Sequence, residues 1–291
     1  MRRIAVTADS NSGITREMAE QEGVFIVPML FTIDGKEYLE GVSLKSRDFF
    51  MYQEEGRDIK SAQPTVGSVL ELWDSLLKEY DEVVHIPMTK ALSGSYDTSL
   101  ALSREYGDRV YVVDNQRISV TQKQSVWDAK RLAKEGKSGR EIQEVLEASA
   151  SESSIYLTVD TLSYLKKGGR ITPAAAAIGD ILNIRPVLQI QGGKIDAYAK
   201  VRGRKKSKQV LVEAIQKDIQ ERFAKAQKGR GIKLHAAYAG IPEEAMEWKQ
   251  QLEEIFPGYT VDMDELSLNI CTHVGKGALG IAVTCNLCGG I

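Results

Sequence analysis

The sequence predicts an α/β protein of two α/β domains with mainly parallel sheets. Three observations predict it. Short apolar runs alternate with stretches whose apolar residues recur at helical spacing. Clusters of Ser, Thr, Asp, Asn and Gly fall where an apolar run stops and a helical stretch begins. And 291 residues with 43% hydrophobic and 27% charged content can fill more than one ordinary globular core.

Taken in order, "RRIAVTADS" reads as a strand ending at Asp9-Ser10, and "TREMAEQEG" as a short helix stopped by Gly23. "VFIVPMLFTIDG" reads as one strand closed by an Asp-Gly turn, with "KEYLEG" as the next. "SRDFFMYQEEG" suits a helix with Ser46 as N-cap. After "SAQPTVG", Val69, Leu72, Trp73, Leu76 and Leu77 have helical spacing over 68–80. A strand near 83–87 leads into "ALSGSYDTSL" and a helix to about Tyr106. "RVYVVDN" is the next strand, followed by helices near 119–134 and 138–149. We place the domain boundary after residue 152, giving domains 1–152 and 153–291.

The second domain opens with "SIYLTVD", then the short helix "TLSYLKKGG" ended by Gly168-Gly169. "TPAAAAIGDIL" suits a helix with Thr172 as N-cap and Pro173 in its first turn. "IRPVLQI" and "KIDAYAKV" flank Gly192-Gly193 as a hairpin. A long helix over about 208–225, the strand "IKLHAAYAG", a helix over 242–255, "YTVDMDEL" and the last strand "GALGIAVTC" complete the pattern. The last strand suits a sheet in either domain.

Composition narrows the function. A formal net charge of −2 provides no electrostatic reason for nucleic acid or an anionic membrane as partner. No apolar run reaches the roughly eighteen residues of a membrane helix, so stable membrane insertion is not expected. The apolar run in "MRRIAVTADS" is too short for a signal sequence, and the expected location is cytoplasmic. Three cysteines stand near the end. "CNLC", Cys285 to Cys288, has no second pair for zinc and reads as two free thiols.

In open α/β sheets ligands gather beyond the C-terminal ends of strands. "DSNSG", "SAQPT", "LSGSYDTS" and "VVDN" are polar clusters at such places or at helix starts. Hydroxyls and main-chain N–H groups at a helix start suit a phosphate or carboxylate. Each cluster alone also reads as an ordinary helix cap. No phosphate loop and no nucleophile elbow is present. "GKGALG" precedes a strand, whereas a dinucleotide loop follows one. No His or carboxylate spacing suits a metal. His85 and His235 lie within apolar runs and read as core residues; His273, among glycines, is the candidate site histidine. A Ser93–His273 nucleophile and base lacks an evident orienting carboxylate. "YLKKGGRI" and "VRGRKKSK" read either as solvated helix ends or as a docking surface for an acidic or phosphorylated partner.

The ordered set "TADSNSG", "SAQPTVG", "PMTKALSGSY", "VVDN", "YLKKGGRI", "IRPVLQI", "VRGRKK" and "THVGKGALG" resembles the DegV family, over about residues 3–283. The resemblance implies a two-domain protein with a long-chain fatty acid in a buried tunnel near the domain junction. It implies a carrier rather than an enzyme, with no cofactor of its own. A partner fatty acid kinase would phosphorylate the carboxylate to an acyl-phosphate that feeds phospholipid synthesis. Ser61 and Ser93 then match carboxylate-binding hydroxyls, with Gly94 and Ser95 supplying N–H groups, and His273 matches the family histidine. Arg170 and Arg202 match arginines tied to kinase engagement and phosphoryl transfer. The chain departs from the family at "TKA", Thr89 to Ala91, and at Ala62. Lys90 therefore either adds a cation near the head group or reaches solvent, and a binding module for another amphipathic or phosphorylated ligand stands as the alternative.

Overall fold

The computed structural model describes residues 2–177, 184–193 and 195–287. The chain divides into two compact units, Met1–Ala150 and Ser151–Ile291.

The first unit holds strands β1 (Ile4–Asp9), β2 (Phe25–Val27), β3 (Leu30–Ile33), β4 (Lys36–Leu39), β5 (Ile59–Ala62), β6 (Glu82–Ile86) and β7 (Val110–Val112). Its helices are α1 (Arg16–Glu22), α2 (Ser46–Glu54), α3 (Val66–Leu76), α4 (Ser95–Ser103), α5 (Ser119–Lys134) and α6 (Gly139–Ala148). A parallel sheet has the order β2-β1-β6-β7, and a smaller antiparallel sheet the order β4-β3-β5. Ala5, Val27, Val83, Val110 and Val112 bury one face of the parallel sheet against Val69, Trp73 and Leu76 of α3. Alternation along the strands sends Val6, Ala8, Val84 and Ile86 to the opposite face, and α5 and α6 pack on those strands.

Two local expectations shift. "VFIVPMLFTI" is two strands, because Pro28 has no N–H to continue a ladder, and β2 and β3 join different sheets. The N-cap of α2 is Lys45, without a side-chain bond, and Ser46 is the first helical residue.

The second unit holds β8 (Ser153–Thr158), α7 (Ser163–Gly168), α8 (Pro173–Ala176), β9 (Ile184–Ile190), β10 (Ile195–Arg202), α9 (Arg204–Gln220), α10 (Ala224–Lys228), β11 (Ile232–Tyr238), α11 (Pro242–Ile255), β12 (Val261–Glu265), α12 (Leu268–Val274) and β13 (Leu279–Cys285). Its sheet has the order β10-β9-β8-β13-β11-β12. Among the described strands of this sheet β11 and β12 pair in parallel, and the other four pairings are antiparallel. The α/β class holds, but the expectation of a mainly parallel sheet fails in this unit. β9–β10 is a hairpin, and β13 returns between β8 and β11, antiparallel to both. Alternation of strands and helices does not encode that insertion. Leu211, Ile215 and Ile219 of α9 and Trp248 and Leu252 of α11 share one core with Tyr156, Val187, Leu234, Ile281 and Val283 of the sheet.

The predicted long helix starts earlier and is broken into α9 and α10. The end of the predicted "TPAAAAIGDIL" helix lies outside the described residues, as does Cys288. Cys285 ends β13 and is buried, as is Cys271.

Candidate functional site

In the first unit, parallel pairing brings the ends of β1, β6 and β7 to one sheet edge, and "DSNSG", "MTKALSGS" and "VVDN" with them. Asp9, the last residue of β1, ties them together. Its Oδ2 accepts from Met88 N at 2.7 Å, and its Oδ1 accepts from Asn11 N and Gln122 Nε2, both at 3.1 Å. Complete burial pushes the Asp9 carboxyl up, and these hydrogen bonds oppose the shift. Ser10 donates to Glu40 Oε2 at 2.5 Å and accepts from Met29 N at 2.9 Å, linking the same turn to the segments flanking β3 and β4.

Beyond Met88 the chain folds into the loop that carries Ser93. Thr89 N donates to Arg117 O at 3.0 Å, and Thr89 O accepts from Leu92 N and Ser93 N at 3.1 and 3.2 Å. Ser93 Oγ accepts from Ser95 N at 3.1 Å. Ser93 thus satisfies an orphan N–H at the start of α4, and its own hydroxyl proton remains to donate. Ser95 N–H, expected as a ligand donor, is spent on Ser93. Gly94 occupies the N-cap position, exposed and without a side-chain bond.

Ser61 is half-buried on β5, in register with Phe31 of β3. Two residues on, Gln63 meets α4. Its Nε2 lies 3.0 Å and its Oε1 3.1 Å from Thr98 Oγ1, and a Cβ added to Gly94 would stand 3.3 Å from Oε1. The "SAQPT" and "LSGS" clusters are therefore neighbours. Lys90 does not stand free. Its Nζ pairs with Asp114 Oδ2 at 3.0 Å and lies 5.5 Å from the Tyr96 ring centroid. That hydrogen bond and charge push the Lys90 ammonium up. Next to Asp114, non-glycine residues Gln116 and Ser119 take φ values of 58° and 55°, a costly conformation that the sequence does not signal.

His85 is a core residue, as expected. Thr7 Oγ1 lies 2.8 Å from its Nδ1, Trp73 packs edge-on at 5.4 Å, and burial pushes its pKa down to about 3. His235 is likewise buried, 2.9 Å from Thr284 Oγ1.

In the second unit His273, which the sequence sets among glycines, lies on α12. Ser267 caps that helix by accepting from Ile270 N, and Gly275 ends it. α12 packs against α7. A Cβ at Gly168 would fall 2.2 Å from His273 Nδ1, and one at Gly275 2.7 Å from the Tyr164 ring. Glycines are thus required in both "YLKKGG" and "THVGKG" because the two motifs pack on each other. Burial first, and the Arg170 charge second, push His273 down to about 4, so the ring is neutral at pH 7. Arg170, exposed, donates from Nη1 to Gly168 O.

Arg170 and Arg202 are not brought together. Ile171, next to Arg170, bridges Ile195 at the start of β10. Arg202, also exposed, ends that strand seven residues on, roughly 20 Å away at strand rise. Near Arg202, Asp160 pairs with Arg185 and with Arg204 at 3.3 Å, and Arg204 and Lys208 share Glu244 at 2.6–3.0 Å. Among the described residues no group of three or more His, Cys, Asp or Glu side chains is placed to hold a metal, and no helix is long and apolar enough to cross a membrane.

The family model described as "Uncharacterised protein, DegV family" matches residues 3–286. A DegV domain-containing protein of Deinococcus radiodurans is 31% identical over 283 residues, covering 96% of this chain and 98% of its own. Two solved structures are similar throughout. A DegV family protein from Thermus thermophilus, described for its fatty acid binding, has a TM-score of 0.86 at 28% identity and covers 97% of this chain and 99% of its own. A stearic acid-binding protein from Eubacterium ventriosum has a TM-score of 0.86 at 25% identity, covering 98% of each. With a family match over nearly its whole length, this chain belongs to the DegV family.

Proposed function

We propose that this protein is a carrier that binds a long-chain fatty acid in a buried apolar tunnel. It presents the carboxylate to a fatty acid kinase, for acyl-phosphate formation that feeds phospholipid synthesis in the cytoplasm. The observation that carries the reading is the neighbouring of two hydroxyl-bearing segments in the first unit. Ser93 keeps a proton to donate, on a loop held next to the segment bearing Ser61. The similar proteins described as binding fatty acids supply the ligand class.

The energetics suit that division of labour. Burying about fourteen methylenes at ~0.8 kcal/mol each contributes on the order of 11 kcal/mol before ordering costs. Each hydrogen bond to the carboxylate adds about 1.5–3 kcal/mol. The tail supplies affinity, and Ser61, Ser93 and the Gly94 N–H supply orientation. His273, neutral at pH 7, is assigned to the head group by family resemblance, and Arg170 and Arg202 to the kinase. The carrier needs no cofactor and performs no turnover alone. The alternative of another amphipathic or phosphorylated ligand leaned on Lys90, whose charge is directed to Asp114.

Organic extraction of the purified protein followed by mass spectrometry tests the reading. A stoichiometric fatty acid is the expected result. An empty extract, with no uptake of added fatty acid, overturns it. With the kinase and ATP present, Arg170→Ala is expected to keep its lipid and lose phosphorylation; loss of the lipid instead would move Arg170 into the pocket.

A further inference from the structure

We infer that Gln63 and Thr98 are a positioning pair that makes the head-group site select a carboxylate over a neutral head group of the same chain. The inference rests on the fatty-acid reading above and names the residues that determine its specificity.

Gln63 lies over the first turn of α4. Both atoms of its amide meet Thr98 Oγ1, which accepts from Nε2 and donates to Oε1. Thr98 is bonded through its own N–H to Gly94 O at 3.0 Å, one turn earlier. Gly94 leaves room for the Gln63 side chain, which a Cβ would crowd at 3.3 Å. The amide is thus committed to α4 and acts as a spacer. On its other side, Ser61 is held in the β5 ladder opposite Phe31. Pro64 is buried and restricts Gln63 to extended backbone. Thr65 accepts from Ser68 N at 3.1 Å and fixes the start of α3. The segment 61–65 has little freedom of its own, and the Gln63–Thr98 clasp ties it to α4.

The consequence is chemical. An alcohol and an acid of equal length gain the same tail burial. A carboxylate has two oxygens that accept from donors at a set spacing, and the spacing between the Ser61 segment and the Ser93 loop is what the clasp maintains. Loosening it costs the acid more than the alcohol. A merely structural role would weaken both alike.

The test measures affinities for stearic acid and for stearyl alcohol in delipidated wild type, Gln63→Met, Thr98→Val, Thr98→Ser and the Gln63→Met/Thr98→Val double variant. Melting temperatures control for folding. The expected result is about a tenfold loss of acid affinity in either single variant, one charge-assisted hydrogen bond's worth, with alcohol affinity held within about twofold. Thr98→Ser keeps the hydroxyl and keeps the selectivity. The double variant is no worse than a single one, because the two residues act as a unit. Acid and alcohol affinities falling together, or acid affinity unchanged in both Gln63→Met and Thr98→Val, overturn the pairing while leaving the fatty-acid reading intact. A wild type that binds no fatty acid overturns both.

Discussion

The two units build their candidate residues by different means. In the first, a parallel sheet delivers three strand ends to one edge, and side chains tie the loops there: Asp9 to Met88, Gln63 to Thr98, Lys90 to Asp114. In the second, α7 and α12 pack on each other, and close packing does the positioning, with Gly168 against His273 and Gly275 against Tyr164. The lesson concerns tolerance. A site tied by hydrogen bonds loses one tie at a time, whereas a site set by close packing fails when one methyl group is added.

The largest expected effect breaks the packed site. Gly168→Ala sets a Cβ against the imidazole of His273 and should destabilise the protein by about 1–3 kcal/mol, read from the denaturation midpoint. Unchanged stability would mean that α7 and α12 do not pack this closely in solution. In the first unit, Ser93→Ala removes a hydroxyl donor and should weaken fatty-acid retention about tenfold, measured by titration of the delipidated protein. Retention equal to wild type would end its role at the carboxylate.

The histidines sharpen the comparison through pH. His85 in the first unit is pushed to about 3 and His273 in the second to about 4, both from an ordinary value of 6.5 and both chiefly by burial. A folded-state value below the unfolded one favours the neutral ring in the native state. The corresponding stability is present above about pH 6.5 and is lost as pH falls toward those lower values. His273→Gln should therefore flatten the decline in stability between pH 6.5 and 4, leaving the His85 share. An unaltered slope in denaturation curves across that range would show His273 to be solvated.

The smallest effect is expected at Lys90. Its pair with Asp114 is largely exposed on the lysine side, so Lys90→Met should cost no more than about 1 kcal/mol of stability and leave lipid affinity unchanged. A clear drop in acid affinity would return Lys90 to the head group.

Much of the first unit was legible. Strand ends followed by capping residues mark the loops of a parallel sheet, and "DSNSG", "LSGS" and "VVDN" stand there. Gly23 ends α1 as the sequence pattern predicts, and Thr15 caps its start. The partners were not legible. Nothing local in "SAQPT" indicates that Gln63 meets a threonine thirty-five residues away. In the second unit "THVGKG" drew attention through its glycines, and nothing in the pattern marked the seven-residue helix that carries His273. That helix is short, is capped by Ser267, and is buried along nearly all its length, so amphipathic periodicity cannot reveal it.

The sequence by itself determined the α/β class, most element positions and the polar clusters, because helix spacing, caps and turn residues are local physical chemistry. It also carried the family resemblance, through motifs in a fixed order. Tertiary structure decided strand direction in the second sheet, where β13 inserts antiparallel between β8 and β11. It decided that Lys90 belongs to Asp114, that Asp9 gathers three segments, and that Gly168 must be glycine beside His273. Each depends on residues distant in sequence meeting at contact distance, and neither composition nor periodicity records which distant residues will meet.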